Sequence, residues 1–275
     1  MELSVWILAS RPKTLSAAFC PVTAGSLLAL RDGSFDFVVF LITLCTALGI
    51  QIGTNLANDY FDFEKGADTA ERKGPLRVTQ AGLVSPHTMK RAIFLCFTLT
   101  ALLSSYLVFR GGPIIALLSS LSILLGLAYT AGPFPLAYLG LGEIFVFLFF
   151  GPIATLGTYY LQTHFFSWEA ICFGMGIGLV STAILVANNL RDIDEDRKAG
   201  KKTLCVRFGK NFGIYEYTAC LLGAFVFPLW WGKILPLLVL PFAVYLIRQA
   251  MSDHFLSLLP RTASFLIFYT LLLIL

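Results

Sequence analysis

The chain has 275 residues, 57% of them hydrophobic and only 13% charged. Soluble domains carry roughly 25% charged residues, so a water-soluble globule with a polar surface is excluded. The formal net charge of +4 is small, and the basic residues form no polar domain of their own, which argues against a nucleic-acid-binding surface. The six cysteines, at 20, 45, 96, 172, 205 and 220, form no CxxC pair and no metal-ligand spacing.

The opening Met1 to Ser10 has no basic n-region, and Arg11 and Lys13 follow its short apolar piece. This order does not describe a cleavable signal and predicts an interfacial helix, amphipathic around Trp6. After it, runs of about 20 mostly apolar residues, long enough to span a bilayer, occur nine times. They cover 14–30, 36–57, 89–109, 112–130, 141–161, 170–190, 211–231, 233–249 and 258–275. Short turns join most of them, including Arg110-Gly111-Gly112-Pro113. Two connections are longer and strongly polar, 58–88 and 191–210. The expected architecture is one all-α domain over 1–275, a polytopic membrane protein of nine transmembrane helices.

With nine spans, the N-terminus shares a side with the loops after spans two, four, six and eight. Seventeen of the 20 basic residues fall on that side, and only Arg31, Arg110 and Lys233 on the other. The positive-inside rule then places the N-terminus and both polar loops in the cytoplasm. The expected location is the inner (plasma) membrane.

Nine of the 16 acidic residues lie in two short windows at the ends of even-numbered spans. The first holds Asp59, Asp62, Glu64, Asp68 and Glu71, and the second Asp192, Asp194, Glu195 and Asp196. Asn55, Asn58, Asp59 and Asp62 step by three or four residues and form one helical stripe, as do Asn188, Asp192 and Asp196. Both windows contain Asn-x-x-x-Asp, at Asn55…Asp59 and Asn188…Asp192. Facing carboxylates repel unless a cation lies between them. Oxygen ligands with no His or Cys in the stripes suit Mg²⁺ rather than Zn²⁺, and Mg²⁺ is typically held by one or two carboxylates plus substrate phosphates. Basic residues beside the acids complete an anion site: Lys65, Arg72, Lys73 and Arg77 in one loop, and Lys198, Lys201, Lys202 and Arg207 in the other. The plain alternative is a pair of solvated loops, charged because loops are. Helix-phased Asn and Asp at two matching span ends weigh against it, since polar groups at a membrane edge are costly and tend to mark function.

At these residues the sequence resembles the UbiA-type intramembrane aromatic prenyltransferases, whose pattern is NDxxDxxxD on one loop and DxxxD on another. Asn58-Asp59-Tyr60-Phe61-Asp62 matches the first part. Gly66 stands where the last Asp would fall, and Asp68 follows two residues later. Asp192…Asp196 matches the second motif. The branch it resembles most is the one that prenylates 1,4-dihydroxy-2-naphthoate in menaquinone synthesis. That likeness rests on NDYFDFEKGAD at 58–68, GPLRVTQAG at 74–82, YTAGPFPLAYLGLGE at 129–143, FFGPIATLGTYY at 149–160 and NNLRDIDEDRKAGKKTLCVRFG at 188–209.

The resemblance implies nine helices around a lipid-open cavity, with Mg²⁺ as cofactor. A polyprenyl diphosphate would donate its chain to the naphthoate, with loss of CO₂ and diphosphate, giving demethylmenaquinone. It implies metal ligands at Asn58, Asp59, Asp62, Asp68, Asp192 and Asp196, with Asn188 in support. Diphosphate contacts would come from Arg72, Arg77, Lys202 and Arg207, and acceptor contacts from Arg11, Gln80, Tyr129 and Glu143. Acceptors such as a dihydroxy-6-naphthoate, 4-hydroxybenzoate or homogentisate stay open, because an acceptor pocket is poorly legible in sequence. An ion-coupled transporter would place ionisable groups near the bilayer midplane, whereas these acids cluster at one edge.

Overall fold

A computed structural model describes residues 2–67 and 74–275. Among these residues the fold is helical, with no strand. A short helix α1 (Leu3–Ser10) meets α2 (Ser16–Arg31) through a 3-10 turn at Pro12–Thr14, with a bend of 59° between the two arms. Arg11 makes the corner in the left-handed region, at φ 51° and ψ 68°. That conformation costs a non-glycine residue roughly 1–2 kcal/mol, and the following Pro12 disfavours the helical alternative. The polar face expected of α1 is missing. Leu3, Ile7 and Leu8 are exposed, while Ala9 packs inward with Val5 and Trp6 beside it.

Helix α3 (Phe37–Glu64) begins at Asp36, whose side chain accepts from the N–H groups of Val38 and Val39. It runs seven residues beyond the expected end at 57, so the polar stripe is helical rather than loop. Helix α4 (Pro86–Ala128) is 43 residues of helix in two arms that meet at a kink. At 1.5 Å per residue this would reach about 65 Å, twice the thickness of a bilayer core. Gly112, at φ 70° and ψ −158°, breaks it, and Pro113 next to it offers no N–H. The halves fold back on each other: Phe97 of the first lies against Gly53 of α3 and beside Gly126 of the second.

A short α5 (Leu136–Leu139) precedes the fifth expected span, which is broken into α6 (Gly142–Phe149) and α7 (Pro152–Thr163). It leads to α8 (Trp168–Arg191). The second polar connection folds as α9 (Ile193–Lys198) and α10 (Leu204–Phe208). The chain closes with α11 (Lys210–Gly223), α12 (Val226–Trp230), α13 (Leu240–Met251) and α14 (Leu258–Ile274). Among the described residues six helices are long and apolar enough to cross a membrane, or seven when α1 and α2 count as one bent span. That tally takes α4 as one crossing and leaves aside the shorter Leu235–Met251. With α4 divided at Gly112, each of the nine expected spans falls on a helix.

Helix α8 is the centre of the bundle. Of its apolar window 72% is buried, against 22% to 50% in the other long helices. It packs on α2, α6, α7, α11 and α14. Its glycines permit this from two sides. Gly174 lies against Pro152 and Gly178 against Gly151, at the break between α6 and α7, while Gly176 meets the Tyr269 hydroxyl of α14. Small residues are what allow backbones to approach closely in a membrane. The outward side chains are apolar, among them Phe94, Leu95, Leu99, Leu102 and Phe109 of α4, as a lipid-facing surface demands.

A Cβ at Gly174 would stand 2.6 Å from the Pro152 Cα, and backbone cannot yield as a side chain can. Gly174→Leu is therefore expected to destabilise the protein by about 3 kcal/mol, at the upper end of ordinary overpacking costs. A thermal unfolding series in detergent reads this directly, and an unchanged midpoint would refute the contact.

Candidate active site

The C-terminal turns of α3 carry Asn55, Asn58, Asp59 and Asp62, all buried. A buried polar group must find partners, and each does. Asn55 donates to the Ser10 carbonyl and the Thr14 hydroxyl, tying α3 to the corner beside Arg11. The Asn58 side-chain oxygen accepts from Thr130 at 2.8 Å. Asp59 accepts from the backbone N–H groups of Val78 and Thr79, at 3.0 and 2.9 Å. Asp62 is held by Tyr138 Oη at 3.2 Å, Lys201 Nζ at 3.2 Å and Arg77 at 3.5 Å.

The second acidic end is built the same way. Arg191 engages both oxygens of Asp192 at 2.6 Å and the Asn188 side-chain oxygen at 2.7 Å. Asp196 pairs with Lys201 Nζ at 3.4 Å. The two helix ends share one cap. Gly66 and Gly200 have φ of 66° and 72°, and the following residue returns a hydrogen bond to the Asp62 carbonyl in one case and the Asp196 carbonyl in the other. This is the Schellman arrangement, in which a left-handed residue after the helix satisfies its last carbonyls. Each motif thus sets a buried Asp on the last turn before a glycine reversal.

Asn58, Asp62, Arg77, Asn188, Asp192, Asp196 and Lys201 line one small polar chamber of about 60 Å³. Glu143 stands in its wall, buried, and accepts from Asn189 at 2.9 Å. A second, largely apolar cavity of about 300 Å³ runs down the bundle past Phe145, Phe149, Leu118, Ile115 and Leu161. Five residues line both: Arg11, Asn58, Tyr129, Leu185 and Asn188. Along α3 the apolar cavity reaches from Asn58 to Thr43, about 22 Å of helix at 1.5 Å per residue. An anion-binding head therefore opens into a deep apolar channel.

Burial governs the charges at the polar end. It pushes the Asp196 carboxyl up to about 6, with Lys201 opposing and Asp192 adding to the rise. The Lys65 ammonium is lowered by burial, against the pull of Asp62. It donates to the Thr130 carbonyl at 2.7 Å and lies over the Tyr138 ring. A carboxylate with so high a pKa gains when a cation joins it.

Of the residues singled out in the sequence, the chamber gathers Arg11, Asn58, Asp62, Arg77, Tyr129, Glu143, Asn188, Asp192 and Asp196. Asp59 is turned to the 77–84 turn and lines neither cavity. Gln80 lies in that turn, also outside both cavities, and Lys202 and Arg207 are exposed. Arg207 donates to the Leu139 carbonyl at 2.7 Å. Asp68 and Arg72 lie outside the described residues. Lys201, named in the sequence among the basic residues beside the acids, also lines the chamber, and Thr130, Tyr138, Asn189 and Arg191 join the site without having been singled out. For Lys201 a signal existed: Gly200, four residues after Asp196, marks a helix stop that turns the next residue back toward it.

Among the described residues no three Asp, Glu, His or Cys side chains converge closely enough to hold a metal ion by themselves. The donor set is all oxygen, with two acidic helix ends on one chamber, and cations of the chain stand on its carboxylates. Such a set fits Mg²⁺ completed by phosphate oxygens.

A profile of the UbiA prenyltransferase family matches residues 18–272. The 1,4-dihydroxy-2-naphthoate octaprenyltransferase of Escherichia coli K12 is 43% identical over 223 residues, 79% of this chain and 72% of that protein. The enzyme of the same description from Bacillus subtilis 168 is 34% identical over 217 residues, covering 79% and 70%. Among solved structures, an apo UbiA homolog from Aeropyrum pernix K1 superposes with a TM-score of 0.69 at 15% identity, covering 94% of each chain. A UbiA homolog from Archaeoglobus fulgidus bound to GPP and Mg²⁺ gives 0.67 at 12% identity, covering 98% and 99%.

The role of Asp59 separates by substitution. Asn in its place offers one acceptor oxygen where the carboxylate offers two, and bonds to a charged acceptor contribute about 1.5–3 kcal/mol each. Asp59→Asn is expected to speed hydrogen exchange at the Val78 and Thr79 amides by at least about tenfold, which corresponds to about 1.4 kcal/mol. Unchanged exchange there would show that the carboxylate does not anchor the turn.

Proposed function

The chain belongs to the UbiA prenyltransferase family, and from that premise we propose that it transfers a polyprenyl group from a polyprenyl diphosphate to 1,4-dihydroxy-2-naphthoate, with loss of CO₂ and diphosphate, in menaquinone biosynthesis. The observation that carries the reading is the meeting of two acidic helix ends on a polar chamber that opens into an apolar channel. Few substrates other than a lipid diphosphate ask for both. The naphthoate acceptor rests on the relatives' descriptions.

Asp62, Asp192 and Asp196, with the side-chain oxygens of Asn58 and Asn188, would hold Mg²⁺. Asp59 would support them by anchoring the turn that carries Arg77; Asp68 stays a candidate metal ligand, Arg72, Lys202 and Arg207 stay candidates for the diphosphate, and Gln80 for the acceptor. When bound, Mg²⁺ neutralises charge on the diphosphate as it leaves. Arg77 and Lys201 donate to its oxygens, a preorganised positive field where negative charge develops. The isoprenoid lies in the channel against Phe145, Phe149 and Leu118, where water is excluded and an allylic cation is protected from hydrolysis. The allylic C–O bond breaks with its electron pair going to diphosphate. The ring carbon bearing the carboxylate forms the new C–C bond, and the C–CO₂ bond then breaks, returning its pair to the ring as CO₂ departs. Arg11, at the junction of the two cavities, is suited to the acceptor's carboxylate, since a guanidinium pairs with it bidentately. Tyr129 and Glu143 flank the same junction and would orient the acceptor hydroxyls.

In detergent with Mg²⁺, a prenyl diphosphate and a panel of aromatic acids, the expected product is the prenylated, decarboxylated naphthoquinol, absent with EDTA. Asp62→Asn and Asp192→Asn are each expected to lower kcat by about 10³, the scale of losing a principal electrostatic contact in the transition state. Transfer to 4-hydroxybenzoate alone would move the protein to another branch. Near-normal turnover in both variants would overturn the metal assignment.

The chamber is proposed to face the cytoplasm, on the strength of the seventeen basic residues sharing its side, in the inner (plasma) membrane. A cysteine at the exposed Lys198, Lys198→Cys, is expected to resist a membrane-impermeant thiol reagent added to intact cells. Labelling from outside would invert the orientation.

A further inference from the structure

Lys201 touches both acidic helix ends at once. Its Nζ lies 3.2 Å from Asp62 Oδ2 and 3.4 Å from Asp196 Oδ1, and its side chain is only 12% exposed. Tyr138 supports the arrangement from the side: its hydroxyl donates to Asp62 Oδ1, and its ring centroid is 5.4 Å from the same ammonium. Arg77 stands on Asp62 and Arg191 on Asp192, so Asp62, Asp192 and Asp196 each already carry a cation of the chain. Among the described residues Lys201 is the one that bridges the two ends.

We propose that Lys201 is an internal counter-cation, which holds the position between the two acidic ends and makes tight divalent-metal binding conditional on a diphosphate. This rests on the metal–diphosphate reading of the chamber. A dication entering alone would share Asp62 and Asp196 with an ammonium already between them, and like charges repel. A diphosphate changes the balance, because its oxygens give the ammonium a new partner while binding the metal. The backbone of Lys201 need not move: its N–H is fixed to the Asp196 carbonyl at 2.9 Å. A lysine carries a point charge on a flexible four-carbon stem, so a change of rotamers is enough. Metal without diphosphate would bind weakly, and substrate would recruit its own cofactor.

Mn²⁺ serves as the probe, with free Mn²⁺ read by electron paramagnetic resonance on purified protein in detergent. Titrations are run with and without inorganic diphosphate, against a protein-free diphosphate blank. Wild type is expected to bind Mn²⁺ at least about tenfold more tightly when diphosphate is present, a factor of ten being about 1.4 kcal/mol. Lys201→Met is expected to bind Mn²⁺ alone at least about tenfold more tightly than wild type, and to lose most of the gain from diphosphate. Lys201→Gln, measured in parallel in case the Met variant does not fold, is expected to do the same. Lys201→Arg, which keeps the charge, should stay near wild type. Neutral variants that bind Mn²⁺ alone no better than wild type would sink the role of Lys201 and leave the metal–diphosphate site standing. So would an Arg variant that behaves like the Met one. Wild type that binds no Mn²⁺ even with diphosphate would overturn the site itself, and this inference with it.

Discussion

The structure depends on charge compensation at the buried edge of a membrane bundle. Asp62 and Asp192 are each 2% exposed, and Asp196 is 7% exposed. Carboxylates taken out of water at that depth are tolerated only when paired or bonded. Lys201, Arg77 and Arg191 supply the pairing, and Tyr138 adds a hydroxyl. The groups that pay for this burial are those the proposed metal–diphosphate complex would use, so the stability of the chamber and the proposed substrate affinity would draw on one set of contacts.

The bundle is arranged to bring these charges together. Helix α8 is buried on most sides, and its glycines let the α6–α7 break and α14 approach within backbone distance. That approach holds Glu143, at the start of α6, beside Asn189 near the end of α8. The corner at Arg11 does the same at the other wall. Its strained backbone bends α1 away from α2 and leaves the guanidinium at the junction of the polar chamber and the apolar channel. Asn55 fixes that corner through Ser10 and Thr14. The geometry of the candidate site thus rests on two unusual backbone features, a glycine-lined crossing and a left-handed arginine, each outside the acidic motifs.

The two motif ends share more than composition. Both place a buried Asp one turn before a positive-φ glycine, with the same pair of capping hydrogen bonds. In the first the residue between Asp62 and Gly66 that matters is Lys65, which lies over Tyr138. In the second it is Lys201, just after the glycine, which reaches Tyr138 from its other neighbour. One tyrosine ring therefore meets two ammonium groups delivered by two similar helix stops.

The sequence by itself determined the nine spans, because lipid requires about 20 apolar residues for each helix and offers backbone groups no other partner. It determined the polar stripes too, since Asn58, Asp62, Asn188 and Asp192 follow the helical repeat. Gly112-Pro113 was legible as a turn between two spans, and the backbone is non-helical at Gly112. Tertiary structure decided the direction of individual side chains. Asp59 and Asn58 are neighbours, yet one turns to the amides of Val78 and Thr79 and the other to Thr130, because those partners come from distant segments packed on different sides of α3. Lys201 enters the chamber and Lys202 remains outside because Gly200 reverses the chain between them and Asp196. Glu143 meets Asn189, 46 positions away, only because two glycine surfaces touch. Local periodicity fixes which face of a helix a residue is on, and only the packing of that face against the rest of the chain fixes what it meets there.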